Sequence, residues 1–221
     1  MAYNMEIRRE IDAMPFRKDL TDEEYREVLE CARITQFKKD GLVYSPENEC
    51  LGLIKVLSGD IRAFMLSEEG REVVLYHVRE GCIDLLSASC VINQITFETQ
   101  MVADSDCTML ILPAVCLARL KQNNLAVRCF IYEKLGERFS DVMKLMQTML
   151  FTRIDKRIAA LLLQSGSDAL HVTHEEIASA INSSREVVSR TLKNMERQSL
   201  IKLGRGRIII TDRAGLERMA S

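Results

Sequence analysis

Residues 173–197 read THEEIASAINSSREVVSRTLKNMER and hold the densest set of groups in the chain able to read another molecule's hydrogen-bonding edges. Arg185 and Arg190 offer planar forks of donors, Glu186 an acceptor, and Ser189 a hydroxyl that does either. An arginine fork fits O6 and N7 of guanine, a glutamate accepts from the N4 amino group of cytosine, and any of these groups can bond a phosphate. Ser184 and Lys193 complete the set of candidate DNA contacts. Such groups act together only if one rigid element presents them. Thr173 with Glu176 fits a capping box and opens a short helix whose buried face is Ile177, Ala178 and Ile181. Asn182-Ser183-Ser184 breaks that period, and Ser184 caps a second helix with Val187, Val188, Thr191, Leu192 and Met195 at helical spacing. Two short helices about a tight polar turn predict a helix-turn-helix. The competing reading is an ordinary helical hairpin with a solvated charged face; the polar cluster at the start of the second helix favours DNA.

The chain has 221 residues, 47% of them hydrophobic and 28% charged, enough for a buried core in one or two domains. No apolar run reaches the ~20 residues that span a bilayer. The N-terminal MAYNMEIRREIDAMPF is charged and lacks an apolar signal core, so a cytoplasmic protein without a membrane partner is expected. Seven scattered cysteines suit a reducing compartment better than a disulfide framework. Residues 154–221 carry 11 Lys+Arg against 8 Asp+Glu, and residues 1–153 carry 19 against 24. A mildly basic C-terminal segment on an acidic body fits a DNA-binding module attached to something else.

Residues 19–33 predict an amphipathic helix capped at Thr21. From Ile34 to Leu112 short β-branched runs alternate with turn signals such as Asp40-Gly41, Ser58-Gly59-Asp60 and Glu80-Gly81. The runs Gly52–Leu57, Ile61–Leu66 and Glu72–Val78 are strand-like, and their spacing predicts an antiparallel barrel or roll. Pro113 starts a short helix, and one long helix fits from about Asn124 to Phe151. Its stripe of Ile131, Leu135, Phe139, Val142, Leu145, Met146 and Met149 either packs on the roll or pairs with a second copy, and pairing is favoured for its second half. Ile154–Gln164 predicts a further helix, Gly204-Arg205-Gly206 a hairpin turn between two short strands, and Asp212 the cap of a last helix. Helix, helix-turn-helix and hairpin make a winged helix. The expected class is α+β: a β-roll sensor domain of jelly-roll type (1–123), a dimerisation helix (124–153) and a winged helix-turn-helix (154–221).

This order resembles the Crp/Fnr family of bacterial transcription regulators. The likeness is sharpest in SSREVVSRTLKNMERQSLI, the Gly-Arg-Gly hairpin and IIITDRAGLERMA, with a second match in LIKVLSGDIRAFMLSEEGREVVLYHVREG. It implies a homodimer on double-stranded DNA, with RNA polymerase as a further partner and a cyclic-nucleotide-binding-like roll as sensor. Arg185, Glu186 and Arg190 lie where the cyclic-AMP-responsive branch places its base readers. Glu186, Ser189 and Arg190 match the E-x-x-S-R readers of the oxygen-responsive branch. A palindrome with a TGA-like core is the implied site.

The sensor departs from every familiar ligand set. Where the cyclic-nucleotide cassette of the family carries Gly-Glu and Arg-Ser, the aligned GCIDLLSASCVINQITFETQ places Leu85 and Leu86, then Ile95 and Thr96. A buried phosphate without an arginine is poorly compensated, so cyclic AMP is not expected. No cysteine precedes Cys31, and the spacing of Cys31, Cys50, Cys82 and Cys90 does not support an iron–sulfur cluster. Leu85 and Ser87 stand where haem-binding members carry Cys-x-His, and His77 alone does not support haem. Cys82 and Cys90 read either as two small buried hydrophobes or as a sensory thiol pair; Leu85, Leu86 and Phe97 also suit an apolar ligand, or simply core. His171 and His174 have H-x-x-H spacing but no third ligand, so no metal is assigned to them and capping or exposure is expected. One His cannot supply the ligand set of a cupin-like enzyme, so no catalytic site is expected. A regulatory ligand-binding roll without DNA function is the other alternative, and the Arg185–Arg190 cluster argues against it.

Overall fold

The β-branched runs of the first half form strands β1 (Arg33–Phe37), β2 (Leu42–Tyr44), β3 (Leu53–Ser58), β4 (Ile61–Leu66), β5 (Glu72–Val78), β6 (Ile83–Asp84), β7 (Gln100–Ala103) and β8 (Cys107–Leu112). They assemble in two four-stranded sheets, ordered β1-β8-β3-β6 and β2-β7-β4-β5. The computed structural model describes residues 2–48, 50–68, 70, 72–85 and 98–220. These fall into two compact units, Met1–Leu66 with Leu75–Val142 and Ser67–Val74 with Met143–Ser221.

In the first unit β8 explains the layering. Its Met109 and Ile111 join Val43, Ile54, Val56, Ile61, Ala63 and Met101 in a core built from both sheets. Alternate residues Leu110 and Leu112 face the other way, into a second core closed by helices. A strand covered on both faces reads as the continuous apolar run CTMLIL rather than an alternating one. The covering helices are α1 (Ala2–Asp12), α2 (Asp22–Cys31), α3 (Ala114–Asn123) and the start of α4 (Leu125–Phe151). Gly52 precedes β3 at φ +102°, where a Cβ would stand 2.1 Å from the Leu112 carbonyl oxygen, so no other residue fits.

Both termini of interest are capped as their sequences direct. Thr21 makes a full capping box with Glu24. Asn124 caps α4 by accepting from the Val127 N–H at 3.1 Å, while its amide donates to the Asp19 carbonyl. Along α4, Ile131 is fully buried in the helix-covered core and Leu135 packs against it. Those two positions of the expected pairing stripe are therefore committed within the first unit. Val142 also packs against the roll, whereas Phe139 is 68% exposed and Met143, Met146, Leu150 and Phe151 are exposed as well. Leu145 and Met149 are half-buried. No helix among the described residues is long and apolar enough to cross a membrane.

The second unit contains α5 (Ile154–Gln164), β9 (Ala169–Leu170), α6 (His174–Ala180), α7 (Arg185–Arg197), β10 (Ile201–Gly204), β11 (Arg207–Ile210) and α8 (Arg213–Ala220). Its core joins Ile158 and Leu162 of α5, Ile177 of α6, Val188, Leu192 and Met195 of α7, and Leu216 of α8. β9 adds a third strand to the expected hairpin, giving the order β10-β11-β9.

The thiols correct two expectations. Cys31, Cys82, Cys107, Cys116 and Cys129 are free, but Cys50 is disulfide-bonded. Scattered spacing therefore did not exclude a bridge, because ligands and partners meet in space rather than in sequence. Cys82 is exposed beyond the Gly81 turn and is not a small buried hydrophobe. Leu85 is fully packed in the helix-covered core. Leu86, Ser87, Cys90, Ile95, Thr96 and Phe97 lie outside the described residues.

Candidate nucleic-acid interface

The α6–turn–α7 segment is fixed at each joint by a named hydrogen bond. Thr173 Oγ1 accepts from the Glu176 N–H at 3.2 Å, and Glu176 accepts in return from the Thr173 N–H at 2.6 Å. The Thr173 N–H and the Thr173 hydroxyl both donate to the Glu176 carboxylate and hold it below its ordinary range. Ile181 ends α6, and its carbonyl accepts from Arg157 of α5, whose guanidinium is pulled down by burial. Asn182 turns the chain at φ +49°, a conformation that asparagine tolerates better than most residues. Its side chain clips the main chain of Val74, donating to the carbonyl and accepting from the N–H, both at 2.8 Å. Ser184 then caps α7 by accepting from the Val187 N–H at 3.4 Å.

α7 is divided lengthwise. Val188, Leu192 and Met195 are buried, while Arg185, Glu186, Arg190 and Lys193 lie exposed along the opposite face. Glu186, Arg190 and Lys193, at i, i+4 and i+7, share one stripe, while Arg185 projects from the first turn beside it. Glu186 is held below the usual carboxylate range by its own backbone N–H first, then by the Ser184 hydroxyl, with Arg185 adding a smaller push. It is therefore an acceptor at neutral pH. Arg185 approaches Glu175 only to 4.0 Å, both side chains being well exposed, so the guanidinium is readily redirected to another partner.

Ser189 is different. It is half-buried, and its Oγ shares a 2.8 Å hydrogen bond with Nδ1 of His174 on α6. His174 is thus neither a cap nor an exposed residue: Thr173 does the capping, and His174 orients Ser189. His171 is exposed, as expected.

Two concavities flank the stripe. One of about 500 Å3 lies between the start of α6, Arg185 and the β10–β11 hairpin, lined by His174, Glu175, Gly204, Gly206 and Arg207. The other, about 590 Å3, brings Arg153 together with Arg190 and Arg197. Gly206 supplies φ +67° at the hairpin tip, and Gly204 leaves room for the Arg207 side chain, which would stand 2.9 Å from a Cβ there. Arg153, Arg207, His174 and Asn182 were not singled out as site residues in the sequence. For the hairpin the repeat Gly-Arg-Gly-Arg was the available signal; for Asn182 no local signal exists, since its partner is 108 residues away.

In the first unit, Arg138 of α4 donates from Nε to Asp84 Oδ1 at 3.0 Å and from Nη2 to the Ile83 carbonyl. Its guanidinium also lies 4.4 Å above the Tyr76 ring. Asp84 is fully buried, and the buried Tyr76 hydroxyl has no hydrogen-bond partner of good geometry among the described residues. Burial, reinforced by the Asp84 charge, pushes the phenol well above its ordinary value. His77 is half exposed and contacts Asp104 at 3.1 Å, a surface pairing rather than a ligand set.

A two-sheet roll, a 27-residue helix and a winged helix that exposes Arg185, Glu186, Arg190 and Lys193 are the parts of a DNA-binding transcription regulator. Residues 156–219 match the Crp-like helix-turn-helix domain. A Crp/Fnr-family protein from Eubacterium rectale superposes at TM-score 0.85 with 34% identity, over 94% of this chain and 98% of that one. The chain belongs to the Crp/Fnr family. It is also similar to transcriptional regulator SdrP of Thermus thermophilus, 26% identical over 176 residues covering 75% of this chain and 82% of that protein. The global regulator CLP of Xanthomonas campestris shares the fold at TM-score 0.66 and 18% identity, over 86% of this chain and 99% of that one. All three relatives are described as regulators.

Proposed function

We propose that the protein binds DNA as a homodimer, reading a palindrome with a TGA-like core through Arg185, Glu186, Ser189 and Arg190. The observation that carries this reading is the exposed stripe of Glu186, Arg190 and Lys193 on α7, with Arg185 exposed at its first turn and Val188, Leu192 and Met195 buried behind. Arg190 and Arg185 supply guanine-reading forks, Glu186 the cytosine acceptor, and Ser189 a hydroxyl pre-set by His174. Ser184 and Lys193 position the helix on phosphates, and Arg153 and Arg197 add cationic surface beside Arg190. The β10–β11 hairpin is the wing. The exposed Phe139, Met146 and Leu150 on α4 supply the dimer seam together with Leu145 and Met149. Twofold pairing sets the half-sites about one DNA turn, ~34–36 Å, apart. RNA polymerase is the downstream partner.

The roll supplies the controlling signal. Asp84 and Arg138 already neutralise each other between β6 and α4, so an effector beside them meets a closed ion pair. Selection from a pool of randomised duplexes tests the DNA reading. Enrichment of a palindrome with one-turn half-site spacing is expected; recovery of unrelated sequences would overturn it.

A further inference from the structure

Among the described residues, one cluster of potential metal ligands stands apart from the DNA interface. Glu27 and Cys31 occupy successive turns of one face of α2, and Cys116 sits in the first turn of α3. Their carboxylate oxygen and two sulfurs all lie within 4.8 Å of one another. Cys116 is buried, while Glu27 and Cys31 are half-buried, which leaves a path from solvent. We infer that these three residues form a site for a thiophilic divalent cation, with zinc as the fitting ion.

Three features favour a metal over two thiols that merely fill core. First, a carboxylate stands beside the two thiols, and Glu27 is held there by an ion pair. Arg119 of α3 donates to its Oε1 at 2.8 Å, leaving Oε2 for a ligand bond. That is the outer-layer support that orients metal-binding carboxylates. Secondly, the charges close: two thiolates and one carboxylate carry three negative charges, which one divalent ion and Arg119 cancel. Thirdly, the spacing is close to what coordination needs. Tetrahedral bonds of ~2.3 Å to sulfur place two ligands roughly 3.8 Å apart, so the atoms need only draw in by about 1 Å. Two sulfurs exclude magnesium and calcium, which take oxygen ligands. As the two metal–sulfur bonds form, each thiol releases its proton to solvent and no oxidation is involved. The fourth position remains for water, the arrangement of a site that exchanges its occupant. This inference does not depend on how α7 reads DNA.

Cobalt titration of the full chain tests it, after chelation and reduction with a non-thiol reductant. One cobalt per chain is expected, with a thiolate-to-cobalt charge-transfer band bleached by one equivalent of zinc. Cys31→Ser abolishes that band and Glu27→Gln weakens binding, while Cys129→Ser, at an exposed position on α4, leaves it unchanged. Arg119→Ala lowers affinity by about 10–100-fold, as for other outer-layer partners. Because Cys116→Ser disturbs a buried position, Cys31→Ser and Glu27→Gln carry the test, alongside zinc-dependent melting. Zinc raises the Tm of the parent protein and not that of Cys31→Ser. No metal uptake by the reduced protein overturns the inference. So does uptake that survives both substitutions, or a thiol pair that only closes to a disulfide on oxidation.

Discussion

Four side chains of α7 are held differently: Arg185 and Arg190 project into solvent, Glu186 folds back on its own N–H and the Ser184 hydroxyl, and the Ser189 hydroxyl is tied to His174. Freely projecting forks are suited to bidentate base contact, and a tied hydroxyl to a fixed direction. Arg190→Ala is therefore expected to cost ~1–3 kcal/mol on the cognate palindrome and to relax preference at one base pair, measured by anisotropy on single-base variants. Arg190→Lys does not restore it, because a point charge lacks the fork. Lys193→Ala instead weakens cognate and random DNA alike and lowers the salt slope by ~1. An Arg190→Ala variant that lost affinity equally on both DNAs would make Arg190 a phosphate contact.

At the scale of elements, the turn of the helix-turn-helix concentrates its constraints in Asn182. Asn182→Ala removes two hydrogen bonds to Val74 and leaves an alanine at φ +49°. The expected loss is about 2–4 kcal/mol in thermal or denaturant unfolding. Asn182→Gly recovers the backbone part alone, so it should fall between the two; an unchanged melting curve for Asn182→Ala would show that the clip is not stabilising. Thr173→Ala is expected to cost roughly 0.5–2 kcal/mol through the lost capping box of α6. The Glu176 carboxyl is held low, so its part of that box is complete above the ordinary glutamate range and disappears as pH falls through the lowered value. The gap between parent and Thr173→Ala should shrink in acid. Elements defined by local chemistry were legible in the sequence: both capping boxes, α5, β4 and β5 stand where their own residues direct. α1 carried only the spacing of Ile7 and Ile11 amid charges, and β9 is two residues long, too short to leave a period. The His174–Ser189 and Asn182–Val74 contacts join positions 15 and 108 residues apart, which no helical or strand period encodes.

For the whole molecule, the stripe on α4 was visible but its partner was not, because periodicity records an apolar face without naming what covers it. Ile131, Leu135 and Val142 pack on the roll, leaving Phe139 and Met146 as the exposed positions of the stripe, with Leu145 and Met149 half-buried. Phe139→Glu with Met146→Glu should shift sedimentation equilibrium from dimer to monomer and weaken binding to a palindrome far more than to an isolated half-site. A parent protein that sediments as monomer with and without DNA would remove the seam from the account. The most direct single measurement is an anisotropy titration of the full chain at fixed salt. One duplex carries a palindromic TGA-core site and the other the same bases with both cores scrambled. Binding at least ~10³-fold tighter to the palindrome, with two chains per duplex, is the predicted result. Equal affinity for the two duplexes would contradict it.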